Sequence, residues 1–505
     1  MPSSAWWRGP LEAERVFDYH ALLPEFILGA TLLVVLGVDL LVAPRRRWLA
    51  GAAGIVGLLA AGVPLLTLAG VGGTREMFAG SYVVDDFALV VKGLFLVAGA
   101  IVLLASMSYL RGDRYYEGEY YFLILASIAG AVVMASARDL ITMFIGLELV
   151  SAPAFLLAGW RKGDLRSNEA SLKFFLIGVL SSAVLLFGMS LVYGTTGEST
   201  FTRIAGATAA VSGESAFVLG VLFTLVGFGF KIAAVPFHFW APDTYQGAPL
   251  PVAAYLSVGS KGAGVVGLLT ICYSAFAGAR DVWGPALWVL AALTMTVGNL
   301  TALRQSNVVR LLGYSSVAHA GFILVPFAMA AAFEGPALEE AFFGSLTYLL
   351  VYAFMNLGAF AAVIAIAERT GSREIDDWAG LARYSPTLAT LLGVFFFSLA
   401  GIPPLAGWFA KFVMFKAVLG DPGNAWGVSL AVIAAVNAVI ALFFYARVLK
   451  AAFMDPAPES LPEGAPLSRP LAAALVITLA VTLAAGFYPQ LLAFFGEAAR
   501  GLALP

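Results

Sequence analysis

Residues 224–247 read TLVGFGFKIAAVPFHFWAPDTYQG, and this stretch decides the fold. It is apolar enough to lie in hydrocarbon, yet it holds Lys231 near its middle and Pro236 five residues later. Proline removes a backbone donor and opens a helix. An opened helix at membrane depth is tolerated only where it lines a cavity or is buried in protein. An ionisable group at the bilayer centre costs roughly 2.5–3.5 kcal/mol on the insertion scale, so chains keep one where it faces a polar interior. A second stretch repeats the theme: SLAGIPPLAGWFAKF, residues 398–412, has Pro403 and Pro404 seven to eight residues before Lys411.

Outward from these segments, the chain is 505 residues, 61% hydrophobic and only 12% charged. Soluble chains are nearer half apolar and a quarter charged, so the bilayer is the solvent this composition fits. Stretches of about 20 apolar residues, the length of a spanning helix, fall at 22–43, 48–70, 86–108, 118–137, 139–159, 170–195, 217–240, 251–276, 283–303, 311–332, 341–367, 387–419, 426–450 and 470–495. The expected fold is therefore all-α: a polytopic membrane protein of about fourteen transmembrane helices. The expected organisation is a tail over 1–21 and a single membrane domain over 22–505. The interruptions fall in the seventh and twelfth spans, five apart. That spacing predicts two inverted five-helix repeats, 118–276 and 283–450, with flanking helices 22–108 and 470–495.

Loops after odd-numbered spans hold sixteen lysines and arginines, among them Arg45, Arg46, Arg47, Arg161, Lys162, Arg304, Arg369 and Arg383; the opposite face and the tails hold seven. The positive-inside rule then puts both termini outside the cytoplasm. The first twenty residues, with Trp6, Trp7, Arg8, Glu12, Glu14 and Arg15, do not read as a cleavable signal, because the apolar run after them is long enough to span. The net charge of −2, without a long basic tract, excludes nucleic acid as a partner. One cysteine, Cys272, cannot hold an iron–sulfur cluster, and His20, His238 and His319 lack metal-ligand spacing. Gly262, Gly264 and Gly267 match a dinucleotide-binding fingerprint but lie inside an apolar span with no strand before them, so they read as close helix packing.

The remaining six basic residues lie within predicted spans: Lys92, Lys173, Lys231, Lys261, Lys411 and Lys416, all lysine. Lysine shifts its pKa on burial, whereas arginine stays protonated, so a path that gains and loses protons uses lysine. At 1.5 Å per residue, Lys231 and Lys261 fall about 15–20 Å into their spans, near the midplane. Lys92, Lys173 and Lys416 lie nearer span ends, where a lysine stem can snorkel to the interface. Glu148 is the clearest mid-span acid. Paired with Lys231 it is either a structural clasp or a switch that holds the lysine's proton while close and releases it when drawn away. His238 and His319 are candidate relays, because imidazole titrates near neutral pH. Tyr314, Ser315, Ser316, Tyr348, Tyr352 and Asn356 either hold water along the same path or bond helix to helix.

At these residues the chain resembles a known family. KIAAVPFHFWAPDTYQGAPLPV (231–252) with Lys261 beyond it, FIGLELVSAPAF (144–155), NLTALRQSNVVRLLGYSSVAHAGF (299–322) and LAGIPPLAGWFAKF (399–412) are similar to the antiporter-like, proton-translocating subunits of NADH–quinone oxidoreductase, respiratory complex I. The likeness runs over 22–495 and extends to cation/proton antiporters and membrane hydrogenases. It implies that Glu148 pairs with Lys231, that Lys261 is a central relay, that Lys411 is an exit lysine, and that Lys173 joins them. It also implies sister membrane subunits and small subunits as partners, no cofactor in this chain, with FMN, iron–sulfur clusters and quinone in other subunits, and a bacterial inner membrane. Tyr245 stands where two sister subunits usually carry histidine, and Lys411 where one of them usually carries glutamate. No long lateral helix follows the last span, and LLPEFILGATLLVVLGVDLL (22–41) agrees with the third sister. Two rival readings stay open: an antiporter subunit driven by an ion gradient, and a membrane scaffold that transports nothing.

Overall fold

A computed structural model describes residues 17–43, 46–110, 117–420, 423–458 and 466–490. Most of the tail, Arg45 and the end of the last predicted span lie outside them. The helices are α1 (Leu23–Leu41), α2 (Trp48–Val71), α3 (Asp86–Tyr109), α4 (Glu117–Ser136), α5 (Leu140–Ala158), α6 (Leu165–Thr196), α7 (Phe201–Val211), α8 (Ser215–Lys231), α9 (Trp240–Gly247), α10 (Leu250–Tyr255), α11 (Lys261–Thr270), α12 (Arg280–Ala302), α13 (Val308–Ala328), α14 (Pro336–Thr370), α15 (Leu381–Tyr384), α16 (Pro386–Ala400), α17 (Ala406–Val418), α18 (Ala425–Met454) and α19 (Arg469–Phe487). One small hairpin, β1 (Arg75–Met77) with β2 (Tyr82–Val84), joins α2 to α3.

Among the described residues, twelve segments are long and apolar enough to cross a membrane, against fourteen expected. The other two expected spans, 217–240 and 387–419, are each two short helices flanking a break: α8 with α9, and α16 with α17. The expected span 251–276 is α10 and α11 joined and ended by single π-helical turns. The hairpin and the surface helix α7 were not expected; both are too short and too mixed to register as apolar runs.

The core residues decide which helices are central. The spans α10–α11, α13 and α14 are almost wholly buried, whereas α1, α6 and α18 leave large apolar side chains on the outside. In a bilayer that outward surface meets lipid, so apolarity all round is no signal of burial here. Helices pair at close range where glycine replaces a side chain. A Cβ on Gly130 of α4 would stand 2.7 Å from the Val150 nitrogen of α5, and one on Gly298 of α12 would stand 2.7 Å from the Ala318 nitrogen of α13. Asp139 caps α5 and its backbone bridges to Thr200; Asn307 caps α13 and bridges to Glu374. Gly298, Asn307 and Ala318 follow Gly130, Asp139 and Val150 at one constant spacing. The two bridges lie at opposite ends of the helix bundle, as an inverted repeat requires.

Candidate functional site: a buried file of lysines

The break after α8 positions Lys231. The helix ends at Lys231, Ala233 takes a left-handed φ of 57°, and regular structure resumes at Trp240. A non-glycine residue at such a φ costs roughly 1–2 kcal/mol and persists where surroundings enforce it. Here they satisfy the loosened backbone: the Trp240 indole donates to the Phe230 carbonyl at 3.2 Å, and the Val235 amide donates to Thr294 Oγ1 at 3.0 Å.

Lys231 is 2% exposed, and its Nζ donates to Ser151 Oγ at 2.8 Å. Ser151 lies on α5 one turn beyond Glu148. The expected direct pair with Glu148 does not form. Glu148 accepts from Ser182 Oγ at 2.5 Å, on α6, and faces Lys231 only across the field between them. Acid and amine each bond a different serine hydroxyl. The stem of Lys231 has room because position 264 is glycine: a Cβ there would lie 2.8 Å from Lys231 Cγ. Gly267 likewise admits the Phe228 ring, which makes the glycine motif a packing surface.

Lys261 follows the π-helical turn Leu256–Ser260. A π-turn inserts one residue and is common at functional sites. Lys261 Nζ donates to the Ser316 carbonyl at 2.7 Å and to Ser316 Oγ at 2.8 Å. The Tyr245 hydroxyl lies 3.5 Å from that Oγ. His319, one helical turn from Ser315 and Ser316, is 2% exposed, with Nδ1 3.0 Å from the Tyr348 hydroxyl and Nε2 3.4 Å from that of Tyr445. Tyr445 in turn bonds Ser315. Lys261 and Lys411 both stand within electrostatic range of His319.

Lys411 stands on α17, after its break, and not in mid-span as a continuous helix would have it. It reaches back across the gap: Nζ donates to the Ala400 carbonyl at 2.5 Å and the Leu399 carbonyl at 3.4 Å. These are orphan carbonyls of α16, at the negative end of its dipole. Gly401 serves this twice, with a φ of 91° and with a missing Cβ that would sit 2.7 Å from Lys411 Cδ. Phe322 presents its ring 5.1 Å from the ammonium. Among the described residues no carboxylate forms an ion pair with Lys231, Lys261 or Lys411; each is held by neutral oxygens.

The other candidates fall elsewhere. Lys173 lies outside the file: its side chain is 45% exposed and pairs with Glu169 at 2.7 Å and Asp243 at 2.9 Å. Asp243, on α9, also binds Arg310 of α13 at 2.6 Å, within a cleft lined by Arg166 and Gln246. Asp243 was missed because an aspartate in a loop-like APDTYQG reads as a turn residue. Lys416 is at a helix end and pairs with Glu340 at 2.5 Å. Lys92 does not snorkel; it is fully buried and pairs with Glu25 at 2.7 Å. His238 is half-buried, its Nδ1 enclosed without a hydrogen-bond partner and its ring 6.5 Å from that of Tyr314. Asn356 donates to Ser257 at 2.7 Å, while Tyr352 Oη and Asn356 Oδ1 are enclosed and bare. Bare polar atoms beside an amine are the usual seat of a buried water.

Comparison with known proteins places this geometry. Residues 137–441 match the family described as NADH:quinone oxidoreductase/Mrp antiporter, TM. NADH-quinone oxidoreductase subunit N of Trichlorobacter lovleyi is 40% identical, the match covering 88% of this chain and 89% of that protein. NADH-quinone oxidoreductase subunit N 2 of Streptomyces griseus is 45% identical over 88% of this chain and 84% of its own length. A chain of respiratory complex I from Thermus thermophilus superposes with a TM-score of 0.75 at 31% identity, covering 93% of this chain and 98% of that one. A chain of the Mrp complex from Dietzia shares the fold, with a TM-score of 0.84 at 23% identity over 96% of this chain and 98% of that one. A multi-pass helical fold, two broken helices and a file of buried lysines meet here with relatives alike over most of their length: the chain belongs to the subunit N family, the antiporter-like proton-translocating membrane subunits of NADH–quinone oxidoreductase.

Proposed function

We propose that protons cross this chain by way of Lys231, Lys261 and Lys411, with Glu148 setting the charge of Lys231 and His319 linking the last two. The observation that carries the reading is the chemistry of the lysines' partners. Serine hydroxyls and backbone carbonyls accept from an ammonium or from a neutral amine alike. A lysine held by them changes protonation without breaking its anchor. A lysine clasped by a carboxylate gives up its proton only if that carboxylate takes one up, and none of the three is so clasped.

Glu148 then acts at a distance. Its side chain is only partly buried and bonds Ser182 of α6, so a shift of α6 against α5 changes its separation from Lys231. Moving it closer favours the ammonium; moving it off leaves desolvation to drive the proton out. His238 and Lys173 lie toward the edge of this route, as secondary participants in proton delivery.

In this reading NADH oxidation and quinone reduction, with FMN and the iron–sulfur clusters, take place in other subunits. The chain works among sister membrane subunits in a bacterial inner membrane, its termini outside the cytoplasm. Its two five-helix units, about 118–276 and 283–450, each contribute one broken helix. The test is NADH-driven proton uptake by vesicles holding the assembled complex with Lys231→Met, Lys261→Met or Lys411→Met. Each substitution lowers the protons moved per NADH. Undiminished uptake in well-assembled variants contradicts the reading and favours a scaffold. Sodium-for-proton exchange by the isolated chain favours an antiporter.

A further inference from the structure

A second ionic cluster lies buried away from the lysine file. Lys92 of α3 is wholly enclosed, and its Nζ meets Glu25 Oε1 of α1 at 2.7 Å. The Tyr82 hydroxyl, on β2, donates to the same oxygen at 2.5 Å and lies 3.4 Å from Lys92 Nζ. The other carboxylate oxygen, Oε2, is enclosed and has no partner. Beside the cluster, Arg138 and Asp85 form a buried pair at 2.8 Å.

A structural clasp is the plain alternative. Buried ion pairs seldom stabilise more than apolar residues of the same volume. A clasp that crowds both donors on one carboxylate oxygen is also a poor one. The placement suits transfer better. Glu25 has 16% of its side chain exposed, whereas Lys92 has none, so the cluster runs from an open edge inward. One helical turn along α3, Phe95 packs on Gly262, the neighbour of Lys261. The cluster thus lies between the central file and the face that carries the hairpin.

We propose that Glu25, Tyr82 and Lys92 form a proton-exchange station joining the lysine file to the face carrying the hairpin, with the Tyr82 hydroxyl as its relay. In one step the Tyr82 O–H bond breaks toward Glu25 and the Lys92 ammonium returns a proton to the phenol oxygen. Glu25 ends as a neutral acid, Lys92 as a neutral amine, and Tyr82 is unchanged. The acid then releases its proton outward once the partly exposed Glu25 side chain turns to the surface, and Lys92 is refilled from within. Arg138 and Asp85 remain a fixed pair, because arginine does not deprotonate. Burial first, then the Glu25 charge, pushes the Tyr82 phenol well up, so it stays a neutral donor and acceptor.

This rests on the proton path proposed above, and the experiment separates the two. In vesicles holding the whole complex, E25Q, K92M, Y82F and the double variant E25L/K92M are compared with K231M for protons taken up per NADH oxidised. The station requires every one of them, the double included, to lose as much as K231M. It also requires a protonated-carboxyl infrared band on turnover that is missing in E25Q. A clasp gives the opposite pattern: single variants assemble poorly, and the double regains both assembly and full proton yield, which overturns the station alone. Full yield in K231M overturns the central path and the station with it.

Discussion

At the residue scale, the file depends on small neighbours as much as on amines. Gly264 and Gly401 leave the space that the stems of Lys231 and Lys411 occupy. Gly264→Val forces that stem aside, and overpacking of this kind costs about 1–3 kcal/mol. Thermal inactivation of the purified complex falls earlier, and proton yield drops even in the assembled fraction. Ser151→Ala leaves Lys231 without its acceptor, at about 1–3 kcal/mol for an orphaned buried donor. Ser151→Thr keeps the hydroxyl and most of the function. Outside the spans, Asp18 shows how a charge fixes the hairpin. Burial raises its carboxyl, but Arg75 at 2.6 Å and the amides of His20 and Ala21 outweigh that and hold it below the usual carboxylate range. A lowered folded pKa means the tie is fully present above the ordinary carboxylate pKa and is lost as pH falls through the lowered one. Protection from hydrogen exchange over 75–84, taken relative to the intrinsic rate at each pH, therefore falls in acid, and Asp18→Asn abolishes that dependence.

At the scale of elements, each broken helix is pinned beyond its break by charge. The α9 half is held by Asp243 to α6 and α13, and the α17 half by Lys416 to Glu340 of α14. Asp243→Asn removes a two-sided anchor that joins α9 to α6 and α13. It lowers proton yield more than stability, because exposed pairs contribute only about 0–1 kcal/mol. Loss of a cap is different: Asp139→Ala or Asn307→Ala costs about 1 kcal/mol in each case, seen as a lower thermal midpoint with pumping intact in the folded fraction. The sequence foretold where helices break, since Pro236 and Pro403–Pro404 remove donors at fixed places. It also put Lys231 before its break and Lys411 after, but it did not foretell that Lys411 reaches back across the gap to the Leu399 and Ala400 carbonyls. Periodicity has no term for which side of a gap a residue reaches across.

At the scale of the whole molecule, the described residues hold twelve helical segments long and apolar enough to cross a membrane and two broken ones, and the most buried of them carry Lys261 and His319. Residue type and depth pick out Lys231, Lys261 and Lys411, and the structure buries all three side chains. They misjudged Lys92, because depth says how far an amine must reach for water and nothing about a carboxylate on another helix. They also made Glu148 and Lys231 direct partners, when each bonds a different serine instead. Such contacts depend on helix rotation, which a nearly uniform apolar pattern leaves unmarked.

The most direct measurement replaces Lys231 by arginine in the assembled complex and records NADH-driven proton uptake. Arginine keeps the positive charge beside Glu148 and Ser151 but does not give up its proton. The account predicts an assembled complex with proton yield reduced as far as in Lys231→Met. Proton yield equal to that of the unsubstituted complex would show that a fixed cation suffices and that Lys231 exchanges no proton.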